Sequence, residues 1–153
     1  MTADFLSRHP GLGFELAVPA PVTVASELPP VLRLGGEGEG GFAPTLAVTA
    51  EMLDPDLDLD RWVDGSVPER VAWLAGAREL DREPVHTTAG PSIRTLAHHA
   101  AGPHAVTLEQ WWTVVSTRGW VVSAACATSD YDRMADTFRS AAESFRPDGA
   151  EGP

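Results

Sequence analysis

The sequence predicts an α+β domain built on a mainly antiparallel, seven-stranded sheet covered by helices, and three observations carry that reading. Val106 to Thr128 consists of two runs of β-branched and aromatic residues joined at Arg118-Gly119, the pattern of a β-hairpin with glycine in its turn. Strand alternation sends Trp111 and Trp112 to opposite faces of that hairpin, so both faces need cover. Tyr131, Met134, Ala135, Phe138, Ala141, Ala142 and Phe145 recur at spacings of three and four, which makes a helix with one apolar stripe for the sheet. With Arg118-Gly119 as a two-residue loop, Trp111 is expected opposite Cys126 and Trp112 opposite Ala125. Large side chains then face small ones in both layers.

Taken in order, residues 1–12 read as a flexible lead, residues 13–146 as one domain and residues 147–153 as a disordered tail. Phe14 to Val18 alternates before Pro19 and Pro21 stop it, a short edge strand. Val31 to Leu34 gives a second strand and Phe42 to Thr49 a third, with the glycine-rich GGEGEGG between them as a long hairpin loop. Helical spacing begins near Leu59, with a break expected at Gly65. Ser66 with Glu69 forms a capping box, and Pro68 suits the first turn of the helix it opens, giving a helical region over 58–78. Glu83 to Thr88 and Ile93 to Ala100 flank the turn dipeptide Gly90-Pro91 as strands four and five. The central hairpin supplies six and seven, and a second capping box, Ser129 with Asp132, opens the last helix, which Pro147 ends.

Composition narrows the function. The 11 basic residues are all arginine, against 22 acidic residues, for a formal charge of −11. Such a chain repels phosphate backbones and anionic lipid, so nucleic acid is excluded as a partner class. No run approaches the roughly 18 apolar residues of a membrane span. Cys126 is alone, which rules out an internal disulfide and suits a reducing compartment. The N-terminal residues lack a basic leader followed by an apolar run, and a cytoplasmic location is expected.

The chemical candidates are weak one by one. Gly36, Gly38 and Gly41 satisfy GxGxxG, but a strand follows where a helix must begin, and Glu37 and Glu39 would repel a pyrophosphate. Asp54, Asp56, Asp58 and Asp60 alternate like the opening of a calcium loop, yet Leu59 and Gly65 stand where Gly and a bidentate Glu are required. Adjacent His98 and His99 point to opposite faces of a strand, so with His86 and His104 they make a poor zinc set. Cys126 lies mid-strand without an activating neighbour. No metal, no cofactor and no catalytic group is therefore assigned. The binding candidates are aromatic: Trp120 follows the hairpin turn and is expected at the sheet rim, where with Arg118 and Trp112 it would form the lip of a recognition cleft, while Trp111 lies deeper.

The element order, together with Gly13-Phe14-Glu15-Leu16 and Pro19, Phe42-Ala43-Pro44-Thr45-Leu46-Ala47-Val48-Thr49, Gly90-Pro91-Ser92-Ile93-Arg94, Glu109-Gln110-Trp111, and Tyr131-Asp132 through Ser144-Phe145, resembles the PsbP-like, DcrB-like (Mog-type) α/β sandwich. Within it the chain is similar to the actinobacterial LpqN/LpqT-type domains. The resemblance implies an antiparallel sheet between helices and a non-enzymatic role: a protein-binding adaptor or chaperone, for example for a secreted effector, or cell-envelope accessory work. It brings no catalytic residues with it. The absence of a lipoprotein leader from this sequence favours the cytosolic adaptor, and the acidic surface suits a partner that offers an apolar, basic segment. The rival is a helix-grip fold carrying a small hydrophobic ligand or an enzymatic site. It would show one curved sheet wrapped around the last helix over a large apolar cavity.

Overall fold

The computed structural model describes residues 4–9, 14–19, 23–27, 30–35 and 41–148. In chain order they form β1 (Asp4–His9), β2 (Phe14–Pro19), β3 (Thr23–Glu27), β4 (Pro30–Arg33), β5 (Thr45–Met52) and α1 (Leu59–Trp73). There follow β6 (Arg78–Thr87), β7 (Gly90–Ala101), β8 (His104–Val115), β9 (Arg118–Ala127), α2 (Tyr131–Ser144) and β10 (Arg146–Pro147). Seven strands make one antiparallel sheet in the order β3-β4-β5-β9-β8-β7-β6, and three more make a small sheet, β1-β2-β10. The expected antiparallel seven-stranded sheet is present, with one exchange. Phe14 to Val18 lies in the small sheet, and β3, which sequence reading missed, takes its place at the edge.

The ends of the chain also differ from expectation. Residues 4–9 belong to the expected lead but pair with β2 from Asp4↔Pro19 to His9↔Phe14. Pro147, the expected start of the tail, is buried and pairs with Phe14. The other expected loose segments, residues 10–12, 36–40 and 149–153, lie outside the described residues.

Two cores cover the two faces of the large sheet. On one face α2 and β2 bury Phe14, Leu16, Phe138 and Phe145 against Trp111, Trp120, Val122 and Leu46. On the other, α1 buries Trp62, Val63 and Val67 against Trp112, Val121 and Ile93. Each such side chain contributes roughly 1.5–3 kcal/mol when fully removed from water. Helices on both faces exclude the helix-grip arrangement, in which one curved sheet wraps a single helix.

The central hairpin keeps its predicted faces and loses its predicted register. Its turn is Ser116-Thr117, with Val115 opposite Arg118, so Trp111 faces Val122 and Trp112 faces Val121. Trp111 therefore meets a residue four positions from Cys126 (126 − 122), an even slip that leaves every side chain on its own face. Ser116 takes the positive φ, 57°, that glycine was expected to supply. Gly119 is required for a different reason: a Cβ there would lie 2.6 Å from Trp62 Cη2.

Both helix starts also correct the sequence reading. Helix α1 runs unbroken through Gly65 and Pro68. It begins earlier than the Ser66 box because the Asp58 carboxylate accepts the Arg61 N–H at 2.9 Å, a side-chain cap. Burial of Trp62, Val63 and Val67 then offsets the hydrogen bond that Pro68 cannot donate. Before α2, Thr128–Asp130 form a 3₁₀ turn, and no side-chain cap is made, so the Ser129 and Asp132 box does not form.

Candidate functional site

The strongest site grows from alternation on three adjacent strands. Arg94 on β7 pairs with Glu83 on β6 and with Trp111 on β8, so all three share the α2 face, and Glu109 lies two residues along β8 on that face. Helix α2 brings a second stripe beside its buried one: Tyr131, Ala135, Arg139 and Glu143, each four residues on, line the cleft, and Tyr131 and Ala135, expected in the apolar stripe, sit half-buried at its margin. Between stripe and strands runs an open cleft of about 220 Å³, with Glu109 and Arg94 in its floor. At one end the Thr88 N–H donates to the Glu143 carbonyl at 3.1 Å, tying the β6–β7 turn to the end of α2.

The floor is a charged network. The Glu109 side chain is 4% exposed, and its Oε2 accepts from Arg94 Nε and from the Tyr131 hydroxyl, the latter at 3.0 Å. Arg94 also donates to Asp81 at 3.1 Å, Glu83 at 3.3 Å and Tyr131 at 3.4 Å. Burial alone would lower the Arg94 pKa, but hydrogen bonds to Tyr131 and Glu109 and the Glu109 charge raise it above the ordinary arginine value. Burial also raises Tyr131, against the Arg94 hydrogen bond and with the Glu109 charge, so the phenol stays a neutral donor. Among the described residues two buried carboxylate oxygens have no hydrogen-bond partner, Glu109 Oε1 and Asp130 Oδ2, and the first belongs to this network. Desolvating such an oxygen without compensation costs on the order of 1–3 kcal/mol or more.

The residues expected at the recognition lip lie elsewhere. Trp120 is not at a rim: it is 2% exposed, edge-on to Phe14 at 5.9 Å and tilted against Phe145 at 5.5 Å. Trp112 is fully buried on the opposite face, its indole N–H donating to Thr95 at 2.9 Å and its ring edge-on to Trp62 at 5.2 Å. Arg118 is exposed, with its guanidinium 5.3 Å above the Trp120 ring. The three do not converge on a common surface, and Trp111, expected deep, is the tryptophan that lines the cleft.

Of the other candidates, Asp54 accepts the Asp56 N–H at 3.0 Å and Asp58 caps α1, so these two carboxylates serve the local backbone. Among the described residues no group of three or more His, Cys, Asp or Glu is placed to hold a metal ion. His86 lines the cleft, whereas His98, His99 and His104 lie along the far halves of β7 and β8. Cys126 is buried, and burial, then the charge of Asp130, pushes its thiol up to about 11, a value that disfavours a nucleophilic thiolate. No helix among the described residues is long and apolar enough to cross a membrane.

A seven-stranded antiparallel sheet with α1 on one face and α2 with a small sheet on the other is the PsbP-like, Mog-type α/β sandwich. No protein-family model matches the chain, and no curated protein matches it. Solved structures do. LpqN, involved in cell envelope biogenesis of Mycobacterium tuberculosis, is 13% identical with a TM-score of 0.68, over 94% of this chain and 89% of that one. Cyanobacterial PsbP from Synechocystis is 14% identical with a TM-score of 0.67, over 96% and 94%. The Ran-binding protein Mog1p of Saccharomyces cerevisiae is 14% identical with a TM-score of 0.64, over 96% of both chains. At these identities the likeness is one of fold.

Proposed function

We propose that this protein is a non-enzymatic binding module, a cytosolic adaptor or chaperone, and that it takes hold of its partner protein in the cleft between α2 and strands β6 to β8. The observation that carries this reading is the open, charged cleft with a buried carboxylate whose second oxygen is unused. A site that keeps such a group gives up fold stability in return for a specific contact elsewhere. The fold is compatible with the role, since Mog1p is a Ran-binding protein. Ala135 lines the α2 wall of the cleft with a small side chain, so a large residue there would occupy the space.

The test is site-specific crosslinking in cells, with a photoreactive residue at Arg139 on the cleft wall and, as control, at Trp73, which is 85% exposed. The expected outcome is a discrete protein adduct from position 139 that disappears when Ala135→Trp fills the cleft. Adducts equal at both positions, or unchanged by Ala135→Trp in a folded variant, overturn the assignment.

A further inference from the structure

We propose that the cleft receives an arginine side chain of the partner protein, with Glu109 Oε1 as the acceptor that fixes it. The inference rests on the binding role above and adds the chemistry of what is bound. The sign of the ligand's charge follows from the groups around the cleft. Arg94 is already shared among Glu109, Asp81 and Glu83, and Arg139 is held by Asp136. Glu83, Glu109 and Glu143 line the cleft against these two guanidiniums, both already paired with carboxylates, so an incoming anion meets a net negative lining. A cation meets the opposite field. The unused oxygen is an acceptor and cannot donate, so only a ligand with N–H or O–H donors satisfies it.

Two features select guanidinium over ammonium. Acceptors stand at separated points of the cleft, on Glu83, Glu109 and Glu143, which matches a planar fork of five donors better than a compact point charge. The rings of Trp111 and Tyr131 line the same space, and guanidinium stacks on aromatic faces while an ammonium holds its water. Bound there, the arginine supplies the hydrogen bond that the native fold leaves unmade, so burying Glu109 is repaid in the complex rather than in the free protein.

The experiment follows backbone amide shifts of the isotope-labelled full chain on adding Nα-acetyl-arginine methylamide, the lysine analogue, and the neutral citrulline analogue of the same shape. The expected result is saturable shifts at Glu109, Trp111, Tyr131 and Ala135 with the arginine probe, weaker by about tenfold or more with citrulline. Glu109→Gln should remove the difference between arginine and citrulline. Since that variant alters a buried network, Glu143→Gln at the exposed end provides a second test and should weaken arginine binding severalfold with the fold intact. Equal binding of citrulline, equal binding of lysine, or no saturable shift at these amides overturns the proposal. Failure here with a cleft-dependent protein adduct retained removes only the arginine assignment. Arginine binding without any adduct would instead overturn the protein-binding role.

Discussion

Glu109 shows how one residue can be well held and still incomplete. Its Oε2 accepts two hydrogen bonds while its Oε1 accepts none from the described residues, and breaking a buried pair of this kind typically costs about 3–5 kcal/mol because the remaining charge is stranded. Cys126, near it on the same face, is a cleaner probe of the interior. Its thiol rises from 9.0 to about 11, chiefly through burial. The native state thus keeps a proton that the unfolded chain loses first, so the thiol's contribution is constant below about pH 9 and is lost as pH rises toward 11, by about 3 kcal/mol in all. Tyr131 is raised as well and adds to the decline at the alkaline end. Urea denaturation of the natural chain and Cys126→Ala, on either side of that window, should show the decline clearly reduced in the variant. The same slope in both would mean that the thiol is not desolvated as the structure has it. The buried, inert thiol was legible as one small residue in an apolar central strand, whereas Glu109 is one acid among 22 acidic residues and its role was not.

At the level of elements, the close approach of α1 to the central hairpin depends on a single missing side chain. A Cβ on Gly119 would lie 2.6 Å from Trp62 Cη2, 2.7 Å from Cζ2 and 3.0 Å from Leu53 Cδ1. Gly119→Ala should therefore destabilise by about 1–3 kcal/mol through overpacking. Trp62→Phe should lose packing by itself but relieve the alanine, so the double-mutant cycle gives a favourable coupling; strict additivity would show that ring and backbone are not in contact. The same glycine explains what sequence reading could and could not supply. Alternation placed Trp111 and Trp112 on opposite faces and so required cover on both, which is the architecture found. The register escaped because Gly119 looked like the turn, while Ser116, a residue with no strong turn signature, adopts the positive φ. Trp120 then seemed close to the rim, although Phe14 and Phe145, from β2 and the end of α2, fold over it from distant parts of the sequence. The cleft was not legible: Tyr131 and Ala135 read as part of the stripe on the sheet, whereas with Arg139 and Glu143, at steps of four, they line the α2 wall. Their partners Glu83, Arg94 and Glu109 come from three strands whose pairing no local pattern reveals.

Across the whole molecule, charge acts on folding and on binding with opposite signs. The net charge of −11 is confined in the folded state and spread apart in the unfolded one, so self-repulsion opposes folding. Ion pairs work the other way. Arg82 with Asp64 and Glu79, and Arg139 with Asp136, are exposed pairs, each contributing little in water, while the Arg94 network is partly shielded from salt by its burial. Net repulsion should therefore outweigh the loss of surface pairs as the Debye length shrinks from about 30 Å at 0.01 M salt to about 8 Å at 0.15 M. Sodium chloride is the appropriate probe, because sulfate would stabilise through exclusion from the surface whatever the charge. The expected outcome is a thermal midpoint that rises over this range of sodium chloride. A midpoint that falls would mean that the ion pairs, not the net charge, dominate the electrostatics of the fold. For an arginine-bearing partner the same screening removes the long-range attraction and slows association. If both expectations hold, salt strengthens the free protein and weakens its complex, a combination that a neutral, hydrophobic docking surface would not give.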